Sequence, residues 1–254
     1  MDFMTSRLTL GVLALAVGLG AWPGAAVAKC QDGPNPSVDW TGCAKSQLFF
    51  SGDDLSGANL TRVQLGATDL TNARLAGAKL PEAEMTRARF DGADLAGADL
   101  SKAVGWRANF SKANLEGANM TSADFGRGMF QRARMKGAML SKSELNRSDF
   151  TEADLEGADL SRAELARVSF SKAKLRGVNF SFSNLARAKL GGAQLEGINL
   201  SGAYLYRTQL SGADLSSANG LRQEQLALAC GAKDTKLPQG LQLPSSWPCA
   251  ADEE

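Results

Sequence analysis

Three sets of side chains in this sequence are chemically capable. The first is a series of carboxylates at regular spacing, among them Asp94, Asp99, Asp154 and Asp159. Two acids flanking a glycosidic bond suffice for sugar hydrolysis, and acids this frequent fall at such distances by chance. They read first as solvated positions of a repeat. The second is an arginine every twenty residues: Arg87, Arg107, Arg127, Arg147, Arg167, Arg187 and Arg207. Permanently charged, planar guanidinium groups in a row suit a polyanion or an acidic protein surface. The third is cysteine, with Cys30 and Cys43 near the start and Cys230 and Cys249 near the end. The chain has no His, which removes imidazole metal ligands and His-based nucleophilic triads. The G-G-x-G-x-D nonapeptides of calcium-binding β-helices are not present. No catalytic residue, metal site or cofactor is therefore assigned.

Composition narrows the partner and the compartment. Lys and Arg number 28 against 27 Asp and Glu, a formal charge of +1, so the chain as a whole gives no electrostatic reason to expect a nucleic acid. Arg7 precedes an apolar run, Leu8 to Leu19, and then Ala26-Val27-Ala28. That order reads as a secretory signal peptide over 1–28, cut after Ala28. The run falls short of the roughly 20 apolar residues that a spanning helix needs, and no transmembrane segment is expected after cleavage. Lys29 stands where a lipid-attachment site before Cys30 would require a small residue. The expected location is periplasmic or secreted, an oxidising environment in which four Cys pair. Three connectivities are open at this point.

The elements that must hold these groups are announced by a period of five. From Leu55 to Leu215 each position divisible by five is Leu, Phe or Met, Gly105 alone excepted. Two places earlier stands Ala or another small or β-branched residue such as Ser148, Val168 or Thr208. A period of five fits neither the helix nor the strand repeat. It marks a solenoid, whose units bury apolar surface only against their neighbours. A second period of twenty overlies the first. Phe50, Phe90, Phe110, Phe130, Phe150 and Phe170 form one column, and Gly57 through Gly197 another. The arginines are a third.

The frames "ADLAGADLSK", "ANLEGANMTS" and "ADLEGADLSR" resemble the pentapeptide-repeat family. The resemblance implies an all-β fold, a right-handed quadrilateral β-helix in which four pentads make the sides of one coil. The central Leu or Phe and the preceding Ala then point inward. About eight coils spaced by about 4.8 Å give a rod on the order of 40 Å long. Residues 29–50 read as an N-terminal cap, 51–219 as the β-helix and 220–254 as a C-terminal cap and tail. A short amphipathic helix is expected within Leu221–Cys230. Bridged cysteines need Cα atoms within about 7 Å, and the rod separates its ends by several times that. The pairs expected are Cys30–Cys43 and Cys230–Cys249. The closing run "LRQEQLALACGAKDTKLPQGLQLP" also resembles the caps of exported bacterial members, which implies a Gram-negative periplasm.

Within this frame the arginines stack at the coil spacing and repel by about 1 kcal/mol per neighbour even in water. Three positions before them stand Glu84, Asp124, Glu144 and Glu164, and before Arg107, Arg187 and Arg207 stand Val104, Asn184 and Tyr204. The expectation is that the acids salt-bridge the column. Val104 and Trp106 share columns with Tyr204 and Tyr206, five coils on. Aromatic and Arg side chains are the types enriched at interface hot spots, so Trp106, Tyr204 and Tyr206 join the arginines as a candidate binding face. The other reading is that Val104 or Trp106 turns inward to replace the side chain missing at Gly105. The function expected is a non-catalytic interaction module of the bacterial envelope, facing a protein or an anionic polymer. One branch of the family protects DNA gyrase by resembling duplex DNA. The near-neutral charge, arginine column and leader disfavour that alternative here. An enzyme acting on polysaccharide is the third.

Overall fold

The structure is a computed structural model that describes residues 29–249. The leader assigned to 1–28 and the last residues of the tail lie outside the described residues.

Each pentad closes on itself before it meets its neighbours. The Ala98 amide donates to the Leu95 carbonyl (3.0 Å), and the Ala103 amide to Leu100 (3.1 Å). These bonds define four-residue turns whose third residue has positive φ, a conformation that favours glycine. The requirement recurs at the four corners of one coil: φ is 62° at Gly97, 57° at Lys102, 59° at Arg107 and 60° at Lys112. Between corners each side is a single parallel bridge. Residues twenty apart pair in ladders such as Asp39↔Asn59, Asn59↔Lys79 and onward to Asn199↔Asn219. The outward Asp99 amide donates to Ala78 (2.9 Å), while the inward Leu100 amide donates to Asn119 (2.7 Å). Backbone groups are thus satisfied between coils. The bridges at Asp39, Ala44 and Phe49 carry this ladder into the segment read from sequence as N-terminal cap.

One apolar cluster runs from Val38 to Ala229, and each inward Leu or Phe contributes roughly 1.5–3 kcal/mol of burial. The Phe column is a stack of rings: Phe90–Phe110 centroids lie 4.8 Å apart, Phe110–Phe130 5.2 Å and Phe130–Phe150 4.6 Å. Small polar residues at inward slots bond within their own turn, as Ser143 and Ser183 do, or to the neighbouring coil. Ser148 Oγ donates to the Phe125 carbonyl (2.9 Å), and Thr208 Oγ1 to Leu185 (2.7 Å).

Gly105 is filled from the next coil, which corrects the expectation that Val104 or Trp106 turns inward. Val104 is 43% and Trp106 37% exposed. A Cβ built on Gly105 would strike the Phe125 ring and come within 3.0 Å of Met85 Cγ. Phe125 therefore occupies the volume that Gly105 leaves empty, with its ring edge-on to Phe110 (5.3 Å, 89°).

The two ends share a device. At the N-terminal end Trp40 is fully buried, and its Nε1 donates to the Asp32 carbonyl (3.1 Å). Lys45 Nζ sits 4.0 Å from the Trp40 ring centroid and donates to the Cys30 carbonyl (2.8 Å). At the other end a single helix, α1 (Gln223–Leu228), follows the coils. The chain gains residues there, so the bridges become Gln209↔Cys230 and Asp214↔Lys236. Gln225 is buried and donates to the carbonyls of Leu200 (2.8 Å) and Ala203 (2.9 Å). Trp247 Nε1 donates to the Ala229 carbonyl (2.7 Å). Cys30 pairs with Cys43 and Cys230 with Cys249, with Cα separations of 5.5 and 5.4 Å, the pairs that rod geometry requires.

Candidate interaction face

The arginine column lies along one corner. All seven residues from Arg87 to Arg207 occupy the left-handed turn position, with φ between 53° at Arg207 and 62° at Arg147 and Arg167. Backbone geometry does not ask for arginine there. The corner that carries Gly57, Gly77 and Gly97 meets the same need with glycine. A third corner mixes Glu82, Lys102, Ser122 and Phe182 at the same conformation. A residue with a Cβ in this region costs roughly 1–2 kcal/mol, partly offset by the larger entropy that glycine loses. Uniform arginine is a property of the side chain, not of the turn.

The acids do not neutralise the column as expected. Among the described residues, Arg87, Arg107, Arg127, Arg147, Arg167 and Arg187 form no ion pair with them. Glu164 instead accepts from Asn184 (2.7 Å), and Asp124 accepts from the Gly126 amide (3.0 Å). Ion pairs form along columns where the sign alternates from coil to coil. Arg74–Asp54 (2.8 Å), Lys174–Asp154 (3.3 Å) and Lys236–Asp214 (2.9 Å) belong to one such column. The acids beside the arginines are themselves stacked, Asp124↔Glu144↔Glu164. Like charges facing one another across a parallel ladder repel. Two columns of opposite sign therefore flank one corner without closing on each other.

Trp106 organises part of this corner. Its ring lies 4.4 Å from the Arg107 guanidinium and 5.4 Å from that of Arg127, contacts worth about 0.5–1 kcal/mol each at an exposed site. Gly126 is its seat. A Cβ there would come within 3.1 Å of indole Cδ1 and 3.4 Å of Nε1. Beside the ring opens a cleft of about 260 Å³ lined by Trp106, Asp124, Gly126, Arg127, Glu144, Asn146 and Arg147. The sequence singled out Trp106, Arg127 and Arg147. Asp124 and Glu144 entered only as counter-ions, and Gly126 and Asn146 went unassigned. Their spacing of twenty from Trp106 and from each other was the available signal.

A second aromatic group lies toward the C-terminal cap. Tyr204 and Tyr206 stack at 6.2 Å with planes 8° apart and are 48% and 41% exposed. Phe182, 64% exposed, lies over Gly202 and within 5.9 Å of the Arg162 guanidinium. The structure thus unites Trp106 with Arg107, Arg127 and Arg147, and Tyr204 with Tyr206, as two clusters on the same columns.

The carboxylates that suggested hydrolysis have structural partners. Asp99 Oδ1 accepts from the Ser101 amide and from Asn119 Nδ2 (both 3.0 Å). Asp159 accepts from the Ser161 amide (3.0 Å) and Asn179 Nδ2 (2.9 Å). Asp154 holds Lys174. The Asp or Asn preference of the repeat follows, because the outward side chain closes its own turn and reaches the adjoining coil. Among the described residues no group of His, Cys, Asp and Glu is placed to hold a metal ion, and no helix is long and apolar enough to cross a membrane.

Comparison with known proteins places this architecture. A family model for pentapeptide repeats in eight copies matches residues 68–104 and 88–127. A model of the pentapeptide repeat region matches 123–200 and 143–219. No curated protein matches the chain in sequence. Among solved structures, HetL, a pentapeptide repeat protein involved in heterocyst differentiation regulation from the cyanobacterium Nostoc sp. strain PCC 7120, is 27% identical. It superposes with a TM-score of 0.70 over 82% of this chain and 90% of its own. Trypsin-treated QnrB1, a plasmid-mediated fluoroquinolone resistance protein, is 17% identical with a TM-score of 0.49, over 78% of this chain and 92% of its own. Such proteins form right-handed β-helices. With the family models covering residues 68 to 219 without a gap, this chain belongs to the pentapeptide-repeat family.

Proposed function

We propose that the chain is a non-catalytic interaction module: a right-handed tube of about eight coils with a stapled cap at each end, exported to the bacterial envelope, presenting its arginine corner to an anionic polymer or an acidic protein surface. One observation carries the reading. Arginine recurs at one corner of coil after coil where glycine satisfies the same backbone elsewhere, and from Arg87 to Arg187 it forms no ion pair with an acid among the described residues. A column of this kind stores repulsion that a bound polyanion relieves. Its rigidity lowers the ordering cost of binding. The leader-like run over 1–28 and the paired cysteines support export.

The test compares two variants of equal net charge. Arg107, Arg147 and Arg187 are replaced by Glu in one, and Lys102, Lys142 and Arg162, from the adjacent corner, in the other. Retention on a polyanionic matrix is then measured against salt. The first variant is expected to lose retention and the second to keep most of it. Equal losses would show that only net charge matters and would refute a dedicated face. Fractionation of cells carrying the full chain tests the location, and an uncut leader in the cytoplasm would overturn export.

A further inference from the structure

The acids beside the arginine corner narrow the class of ligand. Resting on the reading just given, we infer that the face binds an acidic polysaccharide, a chain of linked uronic acids, and that the cleft beside Trp106 takes one of its sugar rings. A purely anionic polymer gains from Arg127 and Arg147 but is repelled by Asp124 and Glu144, which line the same cleft. A uronate brings both complements, a carboxylate for the guanidinium groups and hydroxyl donors for the carboxylate oxygens. The Glu144 carboxylate has no hydrogen-bond or ion-pair partner among the described residues, so its acceptors are available. Asn146 Oδ1 is engaged by the Ala166 amide (2.9 Å), which fixes the side chain and leaves its NH₂ as a donor.

Spacing and size agree with this class. The arginines repeat once per coil, at about 4.8 Å, close to the advance of a linked pyranose chain per sugar. An extended peptide presents same-face side chains only about every 6.8 Å, and duplex DNA advances about 3.4 Å per phosphate along each strand. The cleft, about 260 Å³, lies below the roughly 300–1,000 Å³ of sites for larger ligands, as suits a single ring. Trp106 acts as a positioning residue. Its indole holds the Arg107 and Arg127 guanidinium groups at 4.4 and 5.4 Å, so their spacing is set before a ligand arrives.

The experiment titrates the purified chain with polygalacturonate, poly-L-glutamate, duplex DNA and uncharged dextran at one ionic strength, and repeats the series with Glu144→Ala and Trp106→Leu. Polygalacturonate is expected to bind about tenfold more tightly than polyglutamate at equal charge, and dextran not to bind. Glu144→Ala is the discriminating variant. It should weaken polygalacturonate binding several-fold while leaving polyglutamate unchanged or tighter, because it removes an acceptor from one ligand and a repulsion from the other. Trp106→Leu should weaken both. If polygalacturonate, polyglutamate and DNA bind according to charge alone, or Glu144→Ala tightens all three, the polysaccharide assignment is overturned while the arginine face stands. If no polyanion binds, both fall.

Discussion

Filling the Gly105 slot with the leucine that the repeat asks for should destabilise the protein, unless Phe125 is changed with it. In Gly105→Leu the new side chain meets the Phe125 ring and Met85, the latter 3.0 Å from even the first added carbon. Overpacking of this kind costs about 1–3 kcal/mol. In Phe125→Leu the ring is lost with its edge-on contacts to Phe110 (5.3 Å) and Phe130 (6.2 Å), worth about 0.5–1.5 kcal/mol each. The vacated space beside Gly105 adds about 24 cal/mol per Å³, bringing the loss to about 2–3 kcal/mol. Summed independently, the two changes would cost roughly 4 kcal/mol. In the double variant the new leucine fills the vacated space, leaving mainly the two lost aromatic edges, about 1–3 kcal/mol together. The coupling should therefore be about 1–3 kcal/mol and favourable. Urea unfolding of all four proteins measures it, with far-ultraviolet circular dichroism and Trp fluorescence required to coincide and m-values to match. Additivity within about 0.5 kcal/mol would refute the claim that Phe125 occupies the Gly105 slot.

The C-terminal end supplies two further predictions. Gln225→Leu leaves the Ala203 carbonyl without its side-chain donor and the Leu200 carbonyl with only the Ala203 amide (3.1 Å) and should cost about 1–3 kcal/mol in urea, whereas a change within about 0.5 kcal/mol would show that α1 is held by its apolar contacts alone. The Asp214 carboxyl is held at about 2, first by the Ser216 hydroxyl, then by Lys236 and the Ser216 amide. Its folded-state value is depressed, so its contribution is present above the ordinary 3.8 and is lost as pH falls toward 2. Pepsin cleavage of the C-terminal segment should therefore rise more steeply over that window in the wild type than in Asp214→Asn, and superimposable profiles would refute the assignment.

What the sequence made legible was whatever repeats in register. The five-residue period located the inward slots, the twenty-residue columns located the arginine corner, and separation of the ends selected the cysteine pairs. Interactions that compensate across coils were not legible. A count in fives records Phe125 as an ordinary inward residue, although it fills two slots at once, because its partner Gly105 lies twenty residues earlier. The expected ion pairs failed for a related reason. Glu144 and Arg147 lie close in sequence but are separated by a corner, whereas Asp54 and Arg74 lie directly above one another and meet at 2.8 Å. The change of register at Cys230 and Lys236 follows from residues gained around α1, where the period of five has already stopped.

A coiled chain of this kind keeps structure and recognition in separate columns, and that separation gives the arginine corner its meaning. Burial of Leu100 is indifferent to what stands at Lys102, because the side chain at a left-handed corner leaves the core entirely. Corners are therefore free to vary, and two of them do, one from Glu82 through Lys102 and Ser122 to Phe182 and the other from Asn72 through Lys112 and Arg132 to Glu152. Two corners do not vary from coil to coil. At one, glycine from Gly57 to Gly197 relieves the backbone. At the other, arginine from Arg87 to Arg207 accepts the same backbone and adds a stack of like charges. A column chosen for folding alone would resemble the first, or would alternate in sign as the Asp54, Arg74 and Asp94 positions do. The second column satisfies neither condition, and under the proposed function the repulsion from Arg87 to Arg187 is what a ligand of opposite charge would relieve.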